Sequence, residues 1–245
     1  MTRDALEKVL AERRVVPVVT VENGDQAVQL AVALEAGGLP LMEVTFRSDA
    51  AAEAIKRVTA EHSEMTVGAG TVLSVAQVEA AMEAGAEFIV APGFNPTVVD
   101  YCLDHKIPVT PGIATPSELE WALERGITVL KFFPAEQSGG VGYLKAMSAP
   151  YRGVKFMPTG GITPGNLSSY LSLPSVVACG GTWMVKLDMI RAGEFDRITS
   201  LTAEAVEIAR SVYRLPCQPA RFRGRSKVIL RELLLQCSNL VCEHG

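Results

Sequence analysis

The sequence predicts a single-domain (β/α)8 barrel with a C-terminal extension, on three observations. Short strand-like runs alternate with longer helix-like ones eight times, repeating roughly every 20 to 25 residues. The chain has 245 residues, close to the ~250 usual for such a barrel. No break in composition separates one unit from the next, as one continuous core requires. A doubly wound open sheet is the competing α/β solution, but its first strand-to-helix turn should be glycine-rich. Residues 19–25 contain only Gly24.

Taken in order, strands are expected near 15–20, 39–45, 65–70, 87–91, 107–111, 128–133, 154–158 and 175–179. Each is a short run of apolar or β-branched residues closed by glycine, proline or a polar residue. Helical patterns fall at about 24–37, 48–62, 74–85, 95–105, 115–125, 139–148, 163–171 and 193–212. Ser74, Asn95-Pro96, Thr115-Pro116 with Glu118, and Thr163-Pro164 read as helix starts. In each, a short polar side chain can accept from an unpaired N–H of the first turn, and proline is tolerated just inside it. Gly37-Gly38, Gly85 and Gly126 read as helix stops, where a left-handed residue is needed.

The eight units are complete by residue 212, giving a barrel domain over 1–212 and a tail over 213–245. The tail opens on Leu-Pro-Cys-Gln-Pro and continues with a basic cluster and an apolar stretch. A docking helix, a partner-binding segment, an unnatural extension and a weakly ordered appendage all stay open for it.

Composition bounds the function. The chain is 48% hydrophobic, yet no apolar run approaches the ~20 residues of a membrane helix. Its charged start lacks a signal-peptide core, so a cytoplasmic protein without a membrane partner is expected. Six basic and two acidic residues lie from Arg214 onward, out of 23 and 27 overall. The preceding body therefore holds 17 basic and 25 acidic residues, a net charge of −8. An acidic body argues against nucleic acid as a partner. Five scattered cysteines without metal-ligand spacing suggest reduced thiols. His62, His105 and His244 fall at helix ends or in the tail, so no metal cofactor is expected.

In this architecture reactive groups come from the C-terminal ends of strands and the loops after them. Two ionisable residues sit there within apolar strands. Lys131 lies in Thr-Val-Leu-Lys-Phe-Phe-Pro-Ala-Glu (128–136), and Glu43 is flanked by Leu41, Met42 and Val44. A charged group at such a position loses hydration and needs a partner or a task. Three readings are open: an edge-strand lysine facing solvent, a buried ion pair, or an amine nucleophile with a carboxylate as general acid/base. Met42 to Arg47, Gly70-Thr71, Ala91-Pro92-Gly93, Phe133 and Thr159 mark the same end of other strands. Gly160-Gly161 and Gly180-Gly181-Thr182 follow strands seven and eight, where a phosphate is often held by closely approaching backbone N–H groups.

At these residues a family resemblance emerges. Glu-Val-Thr-Phe-Arg (43–47), Gly-Ala-Gly-Thr-Val-Leu (68–73), Lys-Phe-Phe-Pro-Ala-Glu (131–136), Pro-Thr-Gly-Gly-Ile (158–162) and Gly-Gly-Thr-Trp-Met-Val (180–185) resemble the 2-keto-3-deoxy-6-phosphogluconate (KDPG) aldolase family, in order along residues 1–212. The resemblance implies a metal-independent class I aldolase with no cofactor, usually a homotrimer. It acts on a phosphorylated keto acid, and 4-hydroxy-2-oxoglutarate is the unphosphorylated alternative. It further implies that Lys131 forms the Schiff base and Glu43 shuttles protons. Arg47 and Thr71 would hold the pyruvyl carboxylate, and Thr159 would contact the substrate. Gly160, Gly161, Gly180, Gly181 and Thr182 would line the phosphate site. Pro92 and Phe133, at the same strand ends, complete the expected substrate-binding set. Some family members carry serine where this chain has Thr182, which keeps the hydroxyl. Nothing after about residue 213 resembles the family.

Overall fold

A computed structural model describes residues 1–214, and the tail from 215 onward lies outside the described residues. The described residues form nine strands and ten helices. The strands are β1 Val15–Val19, β2 Leu41–Thr45, β3 Thr66–Gly70, β4 Phe88–Val90, β5 Val109–Thr110, β6 Gly112–Ile113, β7 Val129–Phe132, β8 Lys155–Pro158 and β9 Cys179–Gly181. The helices are α1 Arg3–Arg13, α2 Gly24–Ala36, α3 Ala51–Glu61, α4 Val75–Glu83, α5 Pro96–Asp104, α6 Pro116–Glu124, α7 Gly140–Ser148, α8 Pro164–Leu171, α9 Leu187–Arg191 and α10 Phe195–Arg214. The two kinds alternate except where β5 is followed by β6 and α9 by α10. Every strand pairing is parallel. The result is a curled parallel sheet of α/β type, with strand order β5-β4-β3-β2-β1-β9 in one part and β6-β7-β8 in the other.

The alternation of side chains along each strand builds two cores. Val15, Val19, Met42, Val44, Val67, Ala69, Leu130, Phe132 and Phe156 join the large cluster that also takes the apolar faces of the helices. Residues of the opposite parity, including Val16, Leu41, Phe88, Val90 and Met157, form a smaller cluster inside the curl. Leu6 and Leu10 of α1 cover that cluster from below the strands. Burying two leucines there contributes about 1.5–3 kcal/mol each before entropic costs.

Most boundaries follow the predicted caps. Ser74 accepts from the Gln77 N–H, Asn95 from Thr97, and Thr115 forms a reciprocal box with Glu118. Gly38, Gly85 and Gly126 take positive φ at helix ends. Four differences from the sequence expectation have physical causes. Helix α1 was not anticipated, because only Leu6 and Leu10 of its eleven residues are buried and the rest reads as charged surface. The helix expected from 48 begins at Ala51, because Ser48 donates to the Val21 carbonyl two residues beyond β1 instead of capping. The fifth strand is split at Pro111 into β5 and β6. The eighth lies at Cys179–Gly181, beyond the expected 175–179, because pairing with β1 begins only at Val15↔Cys179. Val177 and Ala178 are buried in the small cluster without strand pairing of their own, apart from the single bridge of Val176 to Phe156.

Candidate active site

The site is assembled one layer above the small apolar cluster. Glu43 stands two residues beyond Leu41 on β2, and Lys131 two beyond Val129 on β7, so both share the parity of residues that face into the curl. Register brings small residues beside them. Glu43 pairs with Gly68 and Thr45 with Gly70 across β2–β3, while Lys131 pairs with Gly112 and Met157. The lysine Nζ donates to Glu43 Oε1 at 3.2 Å. Lys131 is 2% exposed and Glu43 0%. The solvent-facing reading of Lys131 is thereby excluded. The other carboxylate oxygen, Glu43 Oε2, is buried and has no hydrogen-bond partner among the described residues. A buried, unsatisfied carboxylate oxygen is costly in a folded core, and it is where an incoming hydroxyl or water would find an acceptor.

Glycine makes room for this carboxylate. A Cβ on Gly70 would lie 2.2 Å from Glu43 Oε1, and one on Gly112 would lie 2.1 Å from the Pro92 carbonyl oxygen. Gly70→Ala should therefore displace Glu43 from Lys131. We expect a loss of about 10² or more in turnover, the scale of a misplaced catalytic group. Parallel circular dichroism and steady-state rates on the variant check it.

The remaining candidates lie around this pair. Phe133 presents its ring 5.5 Å from Lys131 Nζ, within reach of a cation–π contact. Thr71 follows β3 with φ 55°, a left-handed conformation that a β-branched residue adopts at a cost of about 1–3 kcal/mol. Such strain is held where the surroundings impose it, as at ligand-binding turns. Thr159 is 5% exposed, and its hydroxyl sits where a Cβ on Gly180 would come within 2.3 Å. Arg47 is placed differently: it is exposed, in the turn after β2, and makes no ion pair with any described residue. The structure shows no contact between it and Lys131.

Gly160 and Gly161 adopt φ 98° and 79°, so both need glycine. Their carbonyls are tied back, Gly160 accepting from the Glu136 N–H at 3.1 Å and Gly161 from Asn166 Nδ2 at 3.0 Å. The backbone N–H groups of Gly161, Ile162 and Thr182 have no hydrogen-bond partner among the described residues. The bridge Thr159↔Gly180 brings the two glycine pairs together. Unpaired N–H groups on adjacent turns form an anion-binding concavity. Sequence reasoning placed Gly70 at a strand end without a role of its own, and it did not single out Gly112, Glu136 or Tyr170 as contributors. A Gly-Ala-Gly alternation on the Glu43-facing strand was the one available signal.

The family described as KDPG and KHG aldolase matches residues 6–201. The chain is 51% identical over 205 residues to the 2-dehydro-3-deoxy-phosphogluconate aldolase of Treponema pallidum, covering 84% of this chain and 96% of the relative. It is 44% identical over 208 residues to the KHG/KDPG aldolase of Escherichia coli, covering 85% and 98%. A crystal structure of KDPG aldolase from Legionella pneumophila, with pyruvate captured at low pH as a covalent carbinolamine intermediate, superposes with a TM-score of 0.79 at 37% identity, covering 81% of this chain and 97% of that one.

Proposed function

Because this chain belongs to the KDPG and KHG aldolase family, we propose that it is a class I aldolase that reversibly cleaves 2-keto-3-deoxy-6-phosphogluconate to pyruvate and glyceraldehyde 3-phosphate. The observation that carries the reading is the buried Lys131–Glu43 contact with its free Oε2, beside two glycine turns holding unpaired N–H groups. One end of the site suits a ketone and the other suits a phosphate. The carbinolamine in the Legionella relative is the chemistry expected of Lys131 here.

The steps follow from the groups present. The neutral amine of Lys131 attacks the C2 ketone, forming a carbinolamine that loses water to give a cationic iminium. Glu43 Oε2, directly or through a water, takes the proton from the C4 hydroxyl. The C3–C4 bond then breaks, its electron pair moves into the iminium to give an enamine, and the aldehyde departs. Protonation of the enamine at C3 by the same carboxyl, followed by addition of water, releases pyruvate and restores the amine. Phe133 flanks the developing cation. Arg47 and the strained Thr71 are assigned to the pyruvyl carboxylate, and Pro92 and Thr159 to the substrate between carboxylate and phosphate. Gly160, Gly161, Gly180, Gly181 and Thr182 are assigned to the phosphate. The unphosphorylated alternative is not favoured.

We further propose that the sheet closes as a (β/α)8 barrel. The break at Pro111 accounts for the gap between β5 and β6, and the bridges Phe156↔Val176 and Thr159↔Gly180 span the one between β8 and β9. The catalytic domain is assigned to 1–212, with 213–245 as an appendage. A homotrimeric assembly is proposed from the family resemblance, and a cytoplasmic location from the composition. No helix among the described residues is long and apolar enough to cross a membrane.

The phosphate assignment is tested with Thr182→Val, which removes one exposed hydroxyl at nearly constant volume. Its KM for KDPG is expected to rise about tenfold, the cost of one hydrogen bond to a charged group, with KM for 4-hydroxy-2-oxoglutarate unchanged. Equal effects on the two substrates would contradict a phosphate site at this turn.

A further inference from the structure

Gly160 and Gly161 carry the proposed phosphate turn, yet glycine supplies no preference for one backbone conformation. Something else must hold the turn. The structure assigns that task to Glu136 and Tyr170: we propose that their hydrogen bond is a brace that fixes the Gly160-Gly161 turn and so sets selectivity for the phosphorylated substrate. The inference rests on the phosphate reading given above.

Glu136 touches the turn twice. Its backbone N–H donates to the Gly160 carbonyl at 3.1 Å, and its Cβ and Cγ back Gly161 so closely that a Cβ there would come within 2.7 and 2.5 Å of them. Glu136 itself follows β7 in an exposed stretch, where a carboxylate is otherwise free to turn into water. What anchors it is Tyr170, whose hydroxyl donates to Glu136 Oε1 at 2.5 Å. Tyr170 is fully buried in α8, the helix that begins at Pro164 just beyond the turn. The three contacts therefore bracket the turn: Glu136 holds its start by backbone, its middle by packing and the helix after it by the carboxylate. Burial, with the Glu136 carboxylate beside it, pushes the Tyr170 hydroxyl well above the ordinary phenol range, so it remains a donor at any physiological pH. Neither residue touches the Lys131–Glu43 pair through any contact the structure shows, so the chemistry at the ketone end is separable from the brace.

Tyr170→Phe deletes the hydroxyl and leaves the buried ring. KM for KDPG should rise about tenfold, the scale of one hydrogen bond to a charged group. The maximal rate and KM for unphosphorylated 4-hydroxy-2-oxoglutarate should stay within about twofold, since the Tyr170–Glu136 bond shares no residue with the Lys131–Glu43 pair. Glu136→Ala, at an exposed position that tolerates truncation, should reproduce the effect. Glu136→Gln keeps an acceptor oxygen and should restore most of the affinity. The double variant Tyr170→Phe with Glu136→Ala should be no worse than either alone, because both remove one interaction. Parallel losses on both substrates, or no change in either single variant, would overturn the brace. Competition by inorganic phosphate separates the two layers. If phosphate competes equally well against wild type and Tyr170→Phe, the brace fails while the phosphate site stands. If it does not compete against wild type at all, the site and the brace fail together.

Discussion

Lys131→Arg is expected to abolish aldol cleavage while leaving a folded protein. Arginine stays protonated and cannot condense with a ketone, so the covalent route is closed and not merely slowed. Removal of a covalent nucleophile costs on the order of 10⁶ in rate in a well-studied hydrolase, and a loss of that order is expected here. Arginine also keeps a cation against Glu43, which matters because that carboxylate is 0% exposed. Its extra bulk beside Gly112 and Met157 costs about 1–3 kcal/mol of overpacking. Lys131→Met would instead leave Glu43 charged and unpaired, at about 3–5 kcal/mol. Rates and thermal midpoints of the two variants together separate lost chemistry from lost stability.

Glu43→Gln carries the second-largest effect. The amide keeps the size of the carboxyl and accepts the Lys131 hydrogen bond, but it cannot take a proton. If the free Oε2 is the acceptor for the C4 hydroxyl, turnover should fall by about 10² to 10⁴. The structure adds a stability component, because the two side chains are mutually buried at 3.2 Å. Leaving the lysine without its counter-charge costs up to ~3–5 kcal/mol. A slow variant that still forms the pyruvate adduct identifies Glu43 as a proton shuttle. A destabilised variant of near-normal specific activity identifies a structural ion pair.

Much of this arrangement was legible beforehand, for reasons that differ by residue. Lys131 and Glu43 stand out because ionisable groups in apolar strands must have a partner, and 88 residues of separation do not hide that. The alternation of strands and helices was readable because helices such as α4, α5 and α6 begin on the capping side chains Ser74, Asn95 and Thr115. Strand pairing was less legible. The run Val176-Val177-Ala178 signals burial, yet hydrophobicity does not distinguish a paired strand from a stretch packed against α1. Helix α1 escaped because a helix with two buried residues leaves almost no apolar stripe. Arg47 could be assigned to the carboxylate only through the resemblance, and its exposed position leaves that role a proposal. Gly70 and Gly112 matter for the side chains they lack, which becomes visible only when the fold brings them against Glu43 and the Pro92 carbonyl. The Glu136–Tyr170 bond joins a loop to a helix 34 residues on, and no spacing rule announces it.

The central claim is that Lys131 is the amine that condenses with the keto acid. Incubation of the full-length protein with pyruvate and borohydride, followed by peptide mass mapping, tests it most directly. A reduced pyruvyl adduct confined to Lys131 is the result the account predicts, while an adduct on another lysine, or none, would contradict it.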